Sequence, residues 1–170
     1  MFVDQQRPVP TDVVTDLCRL AVWAPNHKRT NPWRFAVFTG DGRARFGETM
    51  AADMERAGIG DEGKLAKTRV KYLRTPMTLV VAATPHDNEM LDLENRDAVA
   101  AGIQNLLLGA TTLGLASFWS TPGMTSPPAT LELCGFDAVD SLVGIIYLGW
   151  ASQPAPPTDR ADPAITFVDR

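Results

Sequence analysis

The segment Ala98–Leu115, AVAAGIQNLLLGATTLGL, decides the fold of this chain. Its large apolar residues recur at helical spacing and small residues fill most of the other positions, which predicts a helix from about Arg96 to Leu113. A helix that is apolar nearly all round is usually buried, so we expect it at the centre of the molecule. Because Gln104, Asn105 and glycines interrupt the apolar run, the segment predicts a core helix and not a membrane span.

The segments around this helix predict a sheet with further helices. Met77–Thr84 is almost continuously apolar, which indicates a strand covered on both faces. Three other strands are predicted, at Arg34–Thr39, Leu115–Ser120 and Leu142–Leu148. A helix is predicted to begin after an N-cap at Thr11 and to end near Trp23. Further helices are predicted at Arg43–Met54, Glu62–Leu73 and Ala129–Cys134. We therefore expect an α+β fold, in which a sheet of four or five strands packs on a central helix.

Length and composition limit the classes of protein to consider. With 170 residues, of which 45% are apolar and 21% charged, the chain is expected to form a single domain over residues 1–170. Residues 1–10 are expected as an N-terminal extension and the proline-rich residues 151–170 as an extended tail. The net charge of −4 argues against nucleic-acid binding. Two cysteines and no signal-peptide pattern predict a cytoplasmic protein without a disulfide framework.

The loop Trp23–Phe35, WAPNHKRTNPWRF, concentrates positive charge in an acidic chain. His27, Lys28, Arg29 and Arg34 lie between or beside two tryptophans. Such a combination suits a planar anionic ligand, because rings can cover it and cations can meet its negative charge. The alternative is a solvated loop whose tryptophans cap the core.

Two other stretches are candidates for ligand contact. Ala116–Gly123 follows a strand, where hydroxyl groups and backbone amides often hold a phosphate or a ring carbonyl. The alternative is a plain turn between a strand and a helix, which this stretch taken alone favours. Gln104 and Asn105 are expected to be buried amides that need partners, which could be a ligand, a second chain or nearby backbone.

The sequence offers no catalytic residue and no metal ligand set. His27 and His86 are its only histidines, and neither has a neighbour at metal-ligand or triad spacing. An enzyme with this sequence would have to take its reactivity from a cofactor.

Three motifs in order resemble the nitroreductase family, with its short bacterial YdjA-like branch the most similar. Ala24–Trp33 resembles the family's A-P-x-x-x-x-x-x-P-W loop, and Ala98–Gly114 resembles its central helix. Phe118–Thr121 and Gly144–Gly149 are similar to its later strands. The resemblance covers about Thr11 to Phe167.

This resemblance implies a fold, cofactors and a reaction. The fold would have three layers, with a mostly antiparallel sheet and a central buried helix, and the central helix would form much of a homodimer interface. FMN would lie at that interface and be reduced by NAD(P)H. Electrons would then pass to nitroaromatics, quinones or similar small molecules in a ping-pong reaction. The tail 151–170 would wrap the partner subunit.

The resemblance also implies the residues that contact the flavin. They would come from the loop and from the end of a later strand: Trp23, His27, Lys28, Arg29, Asn31, Trp119, Ser120 and Thr121.

The family usually begins with an Arg-Arg-Ser type of segment that holds the FMN phosphate, whereas this sequence starts Met1-Phe2-Val3-Asp4-Gln5 and has only Arg7 as a basic residue before the first helix. Three interpretations follow. In a working reductase, Arg29, Arg160 or partner residues would hold the phosphate. In a flavin- or ligand-binding dimer, FMN binding would be weak or lost and no turnover would occur. In the third, the sequence given omits the first helix of a longer enzyme.

Overall fold

A computed structural model describes residues 3–155 and 157–169 of the chain. In that part it contains the helices α1 Thr11–Ala21, α2 Gly42–Arg56, α3 Glu62–Val70, α4 Glu89–Thr112 and α5 Pro128–Cys134. The strands are β1 Trp33–Thr39, β2 Met77–Ala83, β3 Leu115–Ser120 and β4 Ser141–Trp150. All pairings are antiparallel and the strand order is β1-β2-β4-β3.

The sheet has helices on both faces, so the protein has three layers. Leu79 and Val81 of β2 enter a core with α1 and α4, whereas Val80 and Ala82 enter a second core with α2, α3 and α5. Every residue of β2 is therefore buried, as its continuous apolar run predicts. The expected α+β class with an antiparallel sheet is confirmed.

The central helix α4 begins seven residues earlier than the pattern predicts. Asn88 is its N-cap, and the Asn88 side chain accepts a hydrogen bond from the Leu91 backbone N–H at 3.1 Å. Glu89 and Asp92 lie in the first turn, where negative charge stabilises a helix. A polar first turn with a good cap thus extends the helix beyond its apolar repeat.

The expectation that α4 is buried all round is wrong for a single chain. Ile103 and Leu106 are fully buried, but the Leu108 side chain on another face is 57% exposed. Gln104 is exposed and Asn105 is half-buried, so neither is the buried amide that we expected. The helix has one face in the core and one apolar face open to solvent.

The N-terminal residues pack against the sheet instead of extending from it. Val3 bridges to Ala151, and the Asp4 backbone N–H donates to the Trp150 carbonyl at 2.9 Å. The expected cap at Thr11 is wrong by one residue, because Thr11 already has helical geometry and Pro10 precedes it as the cap residue. Residues 152–155 and 157–169 have no regular secondary structure and are exposed.

Strand pairing brings four segments to one end of the sheet. Trp33 at the start of β1 pairs with Ala83 at the end of β2, which pairs with Ser141 at the start of β4. Ser120 at the end of β3 pairs with Ile145. We call this the loop end of the sheet, since residues 22–32 lead into it. Among the described residues, no helix is both long and apolar enough to cross a bilayer.

Candidate functional site

The loop 22–32 has an unusual backbone. Lys28, Arg29 and Asn31 have φ values of 57°, 52° and 53°, in the left-handed region that side chains with a Cβ rarely adopt. Each such residue costs on the order of 1 kcal/mol and persists only where the surrounding structure enforces it. This loop is therefore held in place by its contacts and not by local preference.

Asparagine side chains provide the internal contacts of the loop. The Asn31 backbone N–H donates to Asn26 Oδ1 at 2.9 Å, and Asn26 Nδ2 donates to Thr30 Oγ1 at 2.9 Å. Asn31 Nδ2 donates to the Arg29 carbonyl at 2.8 Å. Asparagine also tolerates left-handed geometry better than most residues, which lowers the strain at position 31.

Two side chains of α4 form hydrogen bonds with the loop. His27 Nδ1 lies 2.7 Å from Glu94 Oε2, and the Thr30 hydroxyl donates to Asn95 Oδ1. An ionised carboxylate only accepts hydrogen bonds, so Nδ1 carries the proton of that bond and Nε2 is left for another partner. Sequence reasoning missed both α4 residues, because nothing in the sequence pattern singles out Glu94 or Asn95 as partners of the loop.

The outer surface of the loop presents an aromatic ring and positive charge. Trp23 is 84% exposed, and Lys28 and Arg29 are exposed as well. Within the described part of the chain, neither cation forms an ion pair. Beside them, an open groove is bordered by Pro25, His27 and α4. The surface can therefore cover a flat ring and meet a negative charge on it.

The second predicted segment lies at the end of β3. Trp119 is half-buried on the α4 side of the sheet, and its Nε1 lies 3.4 Å from the Val143 carbonyl oxygen that accepts its hydrogen bond. Only glycine fits at position 144 of the neighbouring strand β4, because a Cβ there would lie 2.4 Å from Trp119 Nε1. Ser120 is half-buried and Thr121 is exposed beyond the strand.

The two segments share the loop end of the sheet but do not form one site within a single chain. Strands β1 and β3 are the two edges of the sheet, with β2 and β4 between them. At about 4.8 Å per strand, the edge strands lie roughly 14 Å apart. The predicted residues 23–31 thus lie together, and residues 119–121 lie together, with the width of the sheet between the two sets.

Neither cysteine is a reactive nucleophile at neutral pH. Burial raises the pKa of the Cys18 thiol to about 11 and that of Cys134 to about 12, so both stay protonated. Over the described residues, no three histidine, cysteine or acidic side chains are grouped to hold a metal ion.

The family match and the most similar curated proteins point to the same family. The model of the nitroreductase family matches residues 3–150. The chain is 28% identical to the Escherichia coli (strain K12) protein named "Putative NAD(P)H nitroreductase YdjA", with 95% of this chain and 88% of that protein covered. It is 29% identical to YfhC of Bacillus subtilis (strain 168), which has the same kind of name, with 94% and 82% covered.

Solved structures agree with this result. A nitroreductase-like family protein from Bacillus cereus superposes with a TM-score of 0.77 at 27% identity, covering 95% of this chain and 84% of that one. A nitroreductase with bound FMN from Bacteroides fragilis gives 0.76 at 20% identity, covering 99% and 92%, and shares the fold. The family match over residues 3–150 decides the classification: this chain belongs to the nitroreductase family.

Proposed function

We propose that the protein is an FMN-dependent NAD(P)H oxidoreductase that reduces nitroaromatic, quinone or similar acceptors. The observation that carries the proposal is the loop 22–32, which presents the Trp23 ring and two cations that have no ion-pair partner among the described residues, in a chain of the nitroreductase family. The Bacteroides fragilis relative was solved with bound FMN, which supports the choice of cofactor. Use of NAD(P)H fits a cytoplasmic location.

The residues of the loop fit a flavin ring. The ring is planar and gains negative charge on reduction, and Trp23, Lys28 and Arg29 offer an aromatic face and two cations with no other ion-pair partner among the described residues. For the phosphate, Arg7 does not fit: its guanidinium lies 3.8 Å from the Trp150 ring centroid, at the opposite end of the sheet from the loop. Arg29, the exposed Arg160 of the tail and residues of a partner copy are the candidates that remain.

Each side chain has a distinct task in this proposal. FMN, when bound, supplies the hydride chemistry that no side chain here offers. Lys28 and Arg29 stabilise negative charge on the reduced ring, an effect that is strongest where water is excluded. His27 has its Nδ1 fixed by Glu94 and directs Nε2 toward a partner in the groove. Trp23 covers one edge of the ring, and Trp119, Ser120 and Thr121 contact it from the other segment.

We also propose that two copies assemble the site. The open side of α4 carries large apolar side chains near both ends of the helix, all of them at least 57% exposed: Met90, Leu93 and Leu108. Pairing these faces would bury them and would supply the second segment that lies too far away within one chain. The tail 151–170 would lie over the partner, which would cover the exposed Ile165 and Phe167.

A second candidate function is a flavin- or ligand-binding dimer without turnover. It is favoured by one observation, the engagement of Arg7 with Trp150, which makes Arg7 unavailable to the phosphate. The reductase predicts oxidation of NAD(P)H at a rate that depends on the acceptor, with the parallel double-reciprocal plots of a ping-pong reaction. The binding protein predicts no turnover even in excess FMN.

Variants test the placement of the site. His27→Ala and Trp119→Ala are expected to weaken FMN binding, as measured by quenching of FMN fluorescence. His86→Ala is the matched control, because His86 lies outside the loop: its ring accepts a hydrogen bond from the Asn88 backbone N–H at 3.0 Å, and its own backbone N–H donates to Asp92. Affinity equal to wild type in both site variants would refute this placement.

A further inference from the structure

A buried amide connects the loop 22–32 to the sheet. Asn95 of α4 is only 3% exposed. Its Oδ1 accepts from the Thr30 hydroxyl, and its Nδ2 donates to the Thr84 carbonyl at 3.1 Å. Thr84 follows β2, and its hydroxyl donates to Asp140 Oδ1 at 2.8 Å. Asn95 thus ties the loop to Thr84 after β2, and Thr84 in turn contacts Asp140 just before β4.

The orientation of this amide is fixed by its partners. A carbonyl oxygen only accepts, so Nδ2 must face Thr84 and Oδ1 must face Thr30. The Thr30 hydroxyl therefore donates to Asn95, and it accepts from Asn26 Nδ2 at 2.9 Å. Asn26 in turn accepts from the Asn31 backbone N–H. The contacts run without a break from the buried amide to a left-handed residue of the loop.

We propose that Asn95 is a positioning residue for the flavin site, and that it acts through Thr30. It holds Lys28, Arg29 and Asn31 in left-handed conformations before any ligand arrives, so that ligand binding does not have to order the loop. Asn95 itself is buried beneath the loop and is not among the side chains proposed to contact the flavin. The identity of the ligand in this inference rests on the proposed function.

Matched substitutions at Thr30 test the role of the hydroxyl. Thr30→Val keeps the shape of the side chain but leaves the buried Asn95 oxygen without a donor, whereas Thr30→Ser keeps the donor. Hydrogen–deuterium exchange of the amides of residues 26–31 in the flavin-free protein should become about tenfold faster in Thr30→Val. Thr30→Ser should exchange like the wild type. Asn95→Ala is a second variant, which removes the same Thr30–Asn95 hydrogen bond by changing the residue in α4.

A second readout connects the loop to ligand binding. FMN fluorescence titration should give a Kd about tenfold weaker in Thr30→Val and Asn95→Ala, with Thr30→Ser close to wild type. Unchanged exchange in β2 shows that the fold of each variant is intact. A general loss of stability would not be rescued selectively by the serine hydroxyl.

The possible results are distinguishable. Exchange of the loop like wild type in both Thr30→Val and Asn95→Ala overturns the inference, and so does faster exchange with an unchanged Kd for FMN. If the wild-type protein does not bind FMN, the proposed function fails, and the exchange data still decide whether Asn95 holds the loop.

Discussion

At the scale of single residues, Asp53 is a buried carboxylate with a structural task. It lies in α2, is 2% exposed, and accepts hydrogen bonds from the backbone N–H of Ala129 and from the N–H and hydroxyl of Thr130. Burial acts to raise its pKa, but the hydrogen bonds from Thr130 and Arg56 outweigh this, so that the pKa lies below its usual value. Because Pro127 gives α5 no side-chain cap, Asp53 serves as the cap from another helix.

We expect Asp53→Asn to lower the free energy of unfolding by about 2 kcal/mol at pH 7, since an amide nitrogen would face the donors of Thr130. A carboxylate with a lowered pKa stabilises the fold above its unfolded pKa, near 4, and loses this contribution as pH falls toward the folded value. The deficit of the variant should therefore shrink in acid. Urea unfolding at pH 7 and below pH 4 measures it.

Asp16→Asn is the matched control for this prediction. Asp16 pairs with Arg19 on the surface, where both side chains are more than two-thirds exposed, so its loss should change little at either pH. An Asp53 deficit that stays constant with pH would contradict the account.

At the scale of elements, the sequence predicts the strands better than the loop. Each strand coincides with a local run of apolar residues. Such runs mark the strands that are buried when both faces of a sheet are covered. The start of α4 is missed because the Asn88 cap, not the apolar repeat, decides it. The left-handed residues 28, 29 and 31 are also missed, because the loop is held by non-local contacts, such as that of Thr30 with Asn95, which is more than 60 positions along the chain.

The packing of α1 on α4 requires a glycine. A Cβ on Gly102 would lie 2.7 Å from the Ala21 carbonyl oxygen and 2.8 Å from Trp33 Nε1. Gly102→Ala should therefore lower the free energy of unfolding by about 1–3 kcal/mol, although alanine favours helices by roughly 0.5–1 kcal/mol. Urea unfolding measures the change.

Gly63→Ala in α3 is the control for Gly102→Ala. There the added Cβ would meet only Asp61 Oδ1, at 3.5 Å, so the variant should be slightly more stable than wild type. A Gly102→Ala variant that gains stability like the Gly63→Ala control would show that the two helices are not in close contact.

At the scale of the whole molecule, the open face of α4 predicts self-association. The sequence alone does not distinguish self-association from burial in the core, because an apolar helix face can be buried in either way. Leu108→Glu places a charge on the C-terminal part of this face and should convert a dimer into a monomer, as measured by sedimentation equilibrium. The same variant should lose FMN affinity if the site needs both copies.

Val70→Glu provides the comparison for this prediction. Val70 in α3 is also apolar and 59% exposed, but it lies on the other side of the sheet. The Val70→Glu variant should leave the dimer intact. A monomeric wild type, or a Leu108→Glu protein that remains dimeric, would contradict the proposed assembly.

The measurement that tests the central claim most directly is the visible absorption spectrum of the purified protein. It should be taken after addition of FMN and desalting, and again after anaerobic addition of NADH or NADPH. We predict that flavin bands remain with the protein, that one of the two nucleotides bleaches them, and that a nitroaromatic or a quinone restores them. A protein that is colourless after desalting, or a bound flavin that neither nucleotide bleaches, would contradict the proposed oxidoreductase.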